Sequence, residues 1–170
     1  MWRCVVTILL VVACTSVTRP ESIGAAQPIE EAEFAYERGD YTQAARLFSP
    51  LAEQGVASAQ FYLGLMHEKG RGVRQDHSVA LMWFRKTAGQ GYPGPQNNLG
   101  LIYERGRGVR KDVVRALMWY TLAATMLSGG EQKTAITRRE HLTSKMTAAE
   151  IEQAQEMAWR CQQTQFKGCD

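Results

Sequence analysis

The sequence lacks the short patterns that assemble an active site. It contains no Ser-x-x-Lys, no Gly-x-Ser-x-Gly, no His-Glu-x-x-His, no phosphate-binding P-loop and no dinucleotide glycine fingerprint. Its three histidines, His67, His77 and His141, fall in different elements, so neither a histidine-based metal centre nor a Ser-His pair is expected, and we expect no cofactor. No stretch alternates apolar and polar residues with a period of two, which leaves an all-α fold as the class the sequence supports. A formal charge of +3 is too mild to imply a polyanionic partner, and we expect no nucleic acid. The basic turns Arg71–Arg74 and Arg105–Lys111 read as solvated loops, because no exposed aromatic residues interleave with them.

Repetition is what the chain has instead. Leu63–Phe84 reads LGLMHEKGRGVRQDHSVALMWF and returns 36 residues later as LGLIYERGRGVRKDVVRALMWY at Leu99–Tyr120. Between Gln60–Phe84 and Gln96–Tyr120, 15 of 25 aligned positions are identical, far beyond chance. A period of this size marks a solenoid, in which each unit buries its apolar face only by stacking on its neighbours.

Each copy predicts two helices and a turn. Gln60–Lys69 reads as a helix, Gly70 and Gly72 break it, and Asp76 starts a second helix through Ala80, Trp83, Phe84 and Ala88. Gly106, Gly108, Asp112, Ala116, Trp119, Tyr120 and Ala124 repeat that grammar. Gly70 and Gly106 suit the left-handed position that ends a helix, and Asp76 and Asp112 suit the cap that opens one. Gly64 and Gly100 sit inside helices, where glycine costs roughly 1 kcal/mol against alanine, so a close helix crossing is expected there. His67 occupies the slot of Tyr103 and reads as a packing group rather than a base.

One period earlier, Asp40, Ala44, Phe48, Ala52 and Gly55 match Asp76, Ala80, Phe84, Ala88 and Gly91. The segment DYTQAARLFSPLAEQG is therefore the second helix of a degenerate first copy, and Ile29–Arg38 its shortened first helix, without the glycine turn or the tryptophan. In the third copy, Pro93 and Pro95 bracket Gly94, and the helix should start near Pro95. Beyond Leu127 the period fails. EQKTAITRREHL and TAAEIEQAQEMAWRC predict two further amphipathic helices, the second opened by a Thr147–Glu150 capping box, which should close the end of the stack.

Alanine, glutamine, leucine-glycine, a G-x-G-V turn, aspartate, then alanine with tryptophan and a second aromatic, in order and at this spacing, resemble the Sel1-like repeat, a relative of the tetratricopeptide repeat. The resemblance implies an α/α solenoid, with a degenerate repeat at 27–57, Sel1-like repeats at 58–93 and 94–128, and capping helices and tail at 129–170. It further implies adaptor, assembly or regulatory work rather than catalysis. In tetratricopeptide-like stacks the first helix of each unit lines the inner groove. Helical spacing then puts Phe61, Leu65, Glu68 and Lys69 on one stripe and Asn97, Leu101, Glu104 and Arg105 on the next. We expect these residues to bind a protein or peptide, with Asn97 hydrogen-bonding its backbone; Phe61, Leu65 and Leu101 can equally be packing between helices. Cysteine-rich Sel1-like proteins linked to β-lactam binding and hydrolysis supply an alternative. They carry a cysteine pair in each repeat, whereas Ser58–Ala88 and Gly94–Ala124 contain no cysteine. A purely structural spacer is the third reading.

The N-terminus reads separately. A positive start precedes Cys4–Val17, an almost unbroken apolar run of 14 residues, short of the roughly 20 that a membrane span needs. We read residues 1–26 as a secretory signal, cleaved after Gly24-Ala25-Ala26, and the mature protein as periplasmic or secreted. The alternative is a lipobox at Val11–Cys14, with Cys14 lipidated and the protein anchored to a membrane. The body then keeps two cysteines, Cys161 and Cys169, which form either a disulfide in an oxidising compartment or a pair of free thiols on a frayed end.

Overall fold

Glycine and aspartate decide where these helices stop and start. Gly70 and Gly106, with φ of 67° and 68°, end α3 (Ala57–Lys69) and α5 (Gln96–Arg105), and their backbone N–H groups donate to the carbonyls of Met66 and Ile102. Asp76 Oδ1 accepts from the N–H of Ser78 at 2.9 Å and of Val79 at 3.1 Å, opening α4 (His77–Ala88). Asp112 opens α6 (Val113–Met126) by accepting from the N–H of Arg115 at 2.9 Å. The bonds to the Asp76 carboxylate, that from Val79 first, hold its pKa below the usual value.

The structure is a computed structural model and describes residues 26–92 and 94–169. These comprise eight helices and no strand, the four others being α1 (Ala26–Glu37), α2 (Tyr41–Glu53), α7 (Gly129–Thr143) and α8 (Ala148–Gln163). The signal expected at 1–26, all but its last residue, the lipidation candidate Cys14 and Pro93 lie outside the described residues. Pro95 is the N-cap of α5, and α1 starts three residues before Ile29. The first copy does possess a left-handed glycine, Gly39 with φ of 82°, because reversing the chain over so short a link requires one.

Helices pair as hairpins, α1 on α2, α3 on α4 and α5 on α6, and successive hairpins meet through α2 on α3, α4 on α5 and α6 on α7. The close neighbour expected at the interior glycines is an aromatic ring of the same hairpin. A Cβ on Gly64 would lie 2.5 Å from Phe84 Cε1, and Gly100 faces Tyr120 in the same way. Both rings are completely buried, each contributing about 2 to 3 kcal/mol of apolar burial. Leu63, Met66, Leu99 and Ile102 fill the interior beside them, and Val73 and Val109 tuck half-buried against it.

The second glycine of each turn does something different: it touches the preceding unit. A Cβ on Gly72 would stand 2.3 Å from the carbonyl carbon of Tyr41 and 2.7 Å from Thr42 N, at the start of α2. One on Gly108 would stand 2.5 Å from the carbonyl carbon of His77 and 2.7 Å from Ser78 N, at the start of α4. These neighbours are backbone and cannot swing away. Both glycines also have left-handed φ, 68° and 69°, so conformation and space demand glycine together.

Glutamines one period apart bind at comparable places, two of them across a junction. Gln60 Nε2 donates to the Ala52 carbonyl at 3.0 Å, and Gln132 Nε2, two periods later, donates to the Ala124 carbonyl at 3.0 Å. Gln96, completely buried, donates instead to Met126 Sδ at 3.0 Å. Gln132 thus shows that α7 occupies the place of a fourth first helix, although its sequence otherwise keeps only Glu140, which follows Glu68 and Glu104 at the same interval. α8 does not pair with α7; it folds back on α6, and Leu142, Ala154, Ala158 and Cys161 join the interior of the third unit.

Gly72→Ala and Gly108→Ala should each lower the unfolding free energy by roughly 3 kcal/mol or more, whereas Gly39→Ala, left-handed but with nothing near it, should cost about 1 kcal/mol. Urea unfolding of the three variants measures the gap; equal losses would contradict the backbone contact.

Candidate interaction face

The first helices α3 and α5 carry the residues that spacing puts on the inner stripe, and packing treats them unequally. Lys69 and Arg105 are exposed at the C-terminal ends of their helices. Leu65 and Leu101 are half-buried; Leu65 packs against the core cluster that α4 shares with the third unit, whereas Leu101 belongs to none of the core clusters. These four side chains are the part of the stripe that is open to a partner.

Other members of the stripe are engaged within the chain. Phe61 has its ring centroid 6.1 Å from that of Tyr62, 6.0 Å from Phe84 and 5.9 Å from Tyr92, so its ring packs α3 against α4 and the α4–α5 link. Glu68 is buried, at 9% exposure, and its carbonyl accepts from Gln75 Nε2 at 2.9 Å. Glu104, half-buried, accepts from the Tyr120 hydroxyl at 2.7 Å. Burial first, and then this carboxylate, push the Tyr120 phenol well above its usual range.

Asn97 does two things. Its Nδ2 donates to the Glu131 carbonyl at 3.2 Å, which clips α5 to the first turn of α7. Its Oδ1 is buried and finds no donor among the described residues. A buried carbonyl oxygen without a donor is costly.

At the far end, Cys161 and Cys169 form a disulfide, with Cα atoms 5.0 Å apart. The Phe166 N–H donates to the Cys161 carbonyl at 2.9 Å, and the Phe166 ring comes back against Gly91 in the α4–α5 link. The tail therefore reaches from the last helix back to the second unit. Among the described residues no cluster of histidine, cysteine and carboxylate side chains could hold a metal ion, and no helix is long and apolar enough to cross a membrane.

Two positions that matter here escape the helical spacing rule. Gln132 was legible as a third member of the series Gln60, Gln96, Gln132, each 36 residues on. Tyr120 as the partner of Glu104 was not, since spacing assigns a residue to a face without saying what it meets there.

A family model described as Sel1 repeat matches residues 34–56, 57–92 and 96–126. Among solved structures the chain is similar to a protective antigen present in uropathogenic Escherichia coli strains and displaying an SLR fold, with TM-score 0.75 and 28% identity over 85% of this chain and 31% of that one. It is also similar to a Sel1 repeat protein from Oxalobacter formigenes, with TM-score 0.62 and 32% identity over 69% of this chain and 46% of that one. The chain thus spans less than half the length of either structure. No curated protein matches it.

Two expectations follow. Cys161→Ser should lower stability by about 2 to 3 kcal/mol, the chain-entropy value for so short a loop, and reductant should reproduce the loss in wild type but not in the variant. The raised phenol of Tyr120 binds its proton more tightly folded than unfolded, so its contribution is intact below the ordinary tyrosine pKa of about 10 and is lost as pH rises beyond it. Tyr120→Phe should therefore flatten the alkaline fall in stability, read from urea midpoints across that range; the same slope in both proteins would remove Tyr120 from the account.

Proposed function

The chain belongs to the Sel1 repeat family, and from that premise we propose that it is a non-catalytic binding module that takes an extended segment of a partner protein along α3 and α5. Sel1 repeat solenoids commonly serve protein–protein interaction, and typically without catalysis. The observation that supports the finer reading is the row of side chains left open along neighbouring first helices, with Lys69 and Arg105 exposed and Leu101 half-buried outside every core cluster. Leu65 and Leu101 offer apolar contact along the same path, and Lys69 and Arg105 place positive charge at its rim, which favours an acidic residue in the partner. Because the helices are already fixed by the stack, little ordering cost falls on the protein when the partner arrives.

The same reading takes the protein as exported, with a signal removed after Ala26 and an envelope role as adaptor or regulator. Support comes from the disulfide, a bond that persists in oxidising compartments. Lipidation at Cys14 is the competing form. The intact mass of protein recovered from the producing cell should correspond to a chain starting at Gln27; an acylated chain starting at Cys14 would replace this part of the reading.

The binding face is tested by affinity capture from envelope extract with wild type, Asn97→Ala/Arg105→Glu and, as control, Met82→Ala on α4, where the side chain is exposed. The first variant should lose the partner that wild type and control retain. Identical recovery by all three sinks the assignment.

A further inference from the structure

The turns inside successive hairpins form one edge of the stack, and that edge is basic. Gly108 presses on the backbone of His77, the residue into which the 70–76 loop leads, so the loops 70–76 and 106–112 lie against each other. Next along, Lys145 in the α7–α8 turn lines the same small cavity as Lys111. Arg71, Arg74, Arg107, Arg110, Lys111 and Lys145 therefore share one edge, bounded on the other side by the α1–α2 turn with Glu37 and Asp40. We propose that this edge docks on the anionic headgroups of a phospholipid membrane surface, by charge and without insertion.

The first ground is how the charge is distributed. The two loops hold five cations against two aspartates, a net +3 that equals the formal charge of the whole chain, so the remainder sums to zero. Both aspartates are turned to the helices they open: Asp76 accepts from the N–H of Ser78 and Val79, and Asp112 from the N–H and guanidinium of Arg115. Glu104 and Glu150, which line the cavity beside Lys111, are likewise engaged, by the Tyr120 hydroxyl and the Thr147 N–H. None of the six edge cations pairs with a carboxylate among the described residues. Arg71 lies 5.0 Å over the Tyr41 ring and Lys145 meets His141 Nε2, contacts that leave their charge in place. A field of one sign results, and it attracts the opposite one.

The second ground is shape. Each loop runs from the end of a first helix to the start of a second, so its cations stand over both layers of the solenoid, Arg71 and Arg107 over one, Arg74, Arg110 and Lys111 over the other. The array has two dimensions, which suits a surface charged throughout rather than a single acidic strand. Arg74, Arg110, Lys111 and Lys145 are exposed, as a planar partner requires. Left-handed glycines, Gly70 and Gly72 in one loop and Gly106 and Gly108 in the other, set the array before contact. Val73 and Val109 are tucked half-buried against the core and do not reach lipid, and neither loop holds an aromatic residue to stack on a base. Such contact is electrostatic and therefore sensitive to salt.

The test is co-sedimentation of the protein, as recovered from the producing cell, with phosphatidylcholine vesicles with and without about one-third phosphatidylglycerol. Partitioning should be at least about tenfold greater on the anionic vesicles at low ionic strength, and the excess should vanish at high ionic strength. Pure phosphatidylcholine reports whatever the apolar run Cys4–Val17 contributes when it is retained. Arg74→Glu/Arg110→Glu/Lys111→Glu should cut the excess by about tenfold or more. Lys86→Glu/Lys133→Glu/Lys167→Glu makes the same change of charge at exposed positions toward the opposite ends of the helices, and should leave the excess within about twofold. Duplex DNA and polyglutamate are offered in parallel. Anionic vesicles bound through the edge cations support the proposal whatever else binds. It is overturned if those vesicles are bound no better than phosphatidylcholine, if the two triple variants lose binding equally, or if DNA or polyglutamate binds and the vesicles do not. Because Arg74, Arg110 and Lys111 lie off the α3–α5 stripe, the outcome is independent of whether the peptide-binding reading survives.

Discussion

Backbone meeting backbone at Gly72 and Gly108 is the contact on which the stack depends. Apolar burial attracts one hairpin to the next, but it is indifferent to register, since a ring or a methyl group can find a neighbour after a small slide. A turn pressed against the first peptide of the preceding unit's second helix has no such freedom. Packing then follows: Gly64 and Gly100 admit the rings of Phe84 and Tyr120, and Gln60 and Gln132 bind carbonyls across the junctions. Each device recurs at the same interval because each solves the same problem once per unit.

Much of this was legible in the sequence. The turn glycines, the capping aspartates, the buried aromatics and the family all follow from residue identities 36 positions apart, since local backbone demands are written in local residues. The fourth first helix was harder to see. α7 keeps only Gln132 and Glu140 of the pattern, because a terminal unit has one side free of a neighbour and its remaining positions are released from packing demands. The fold-back of α8 onto α6 is a long-range choice that no helical periodicity encodes. The inner stripe was legible as a stripe and no further. Phe61, Glu68 and Glu104 lie on it, yet their surroundings are set by residues distant in sequence, Tyr92, Gln75 and Tyr120 among them.

The molecule therefore divides its surface. Along the first helices the open groups are two half-buried leucines and two exposed cations. Around the tail, exposed cations surround an open cleft at the edge of the third unit.

The reach of the tail has a mechanical meaning. A stack whose members touch only their neighbours can open at any seam, and the seam between α4 and α5 is lightly built. Phe166 lies across that seam on a loop covalently fastened to α8, so the third unit is gripped from both sides and strain entering at one end is shared with the other. With the sulfur bridge in place the array behaves as a single spring; once it is cut, the same array becomes two springs in series.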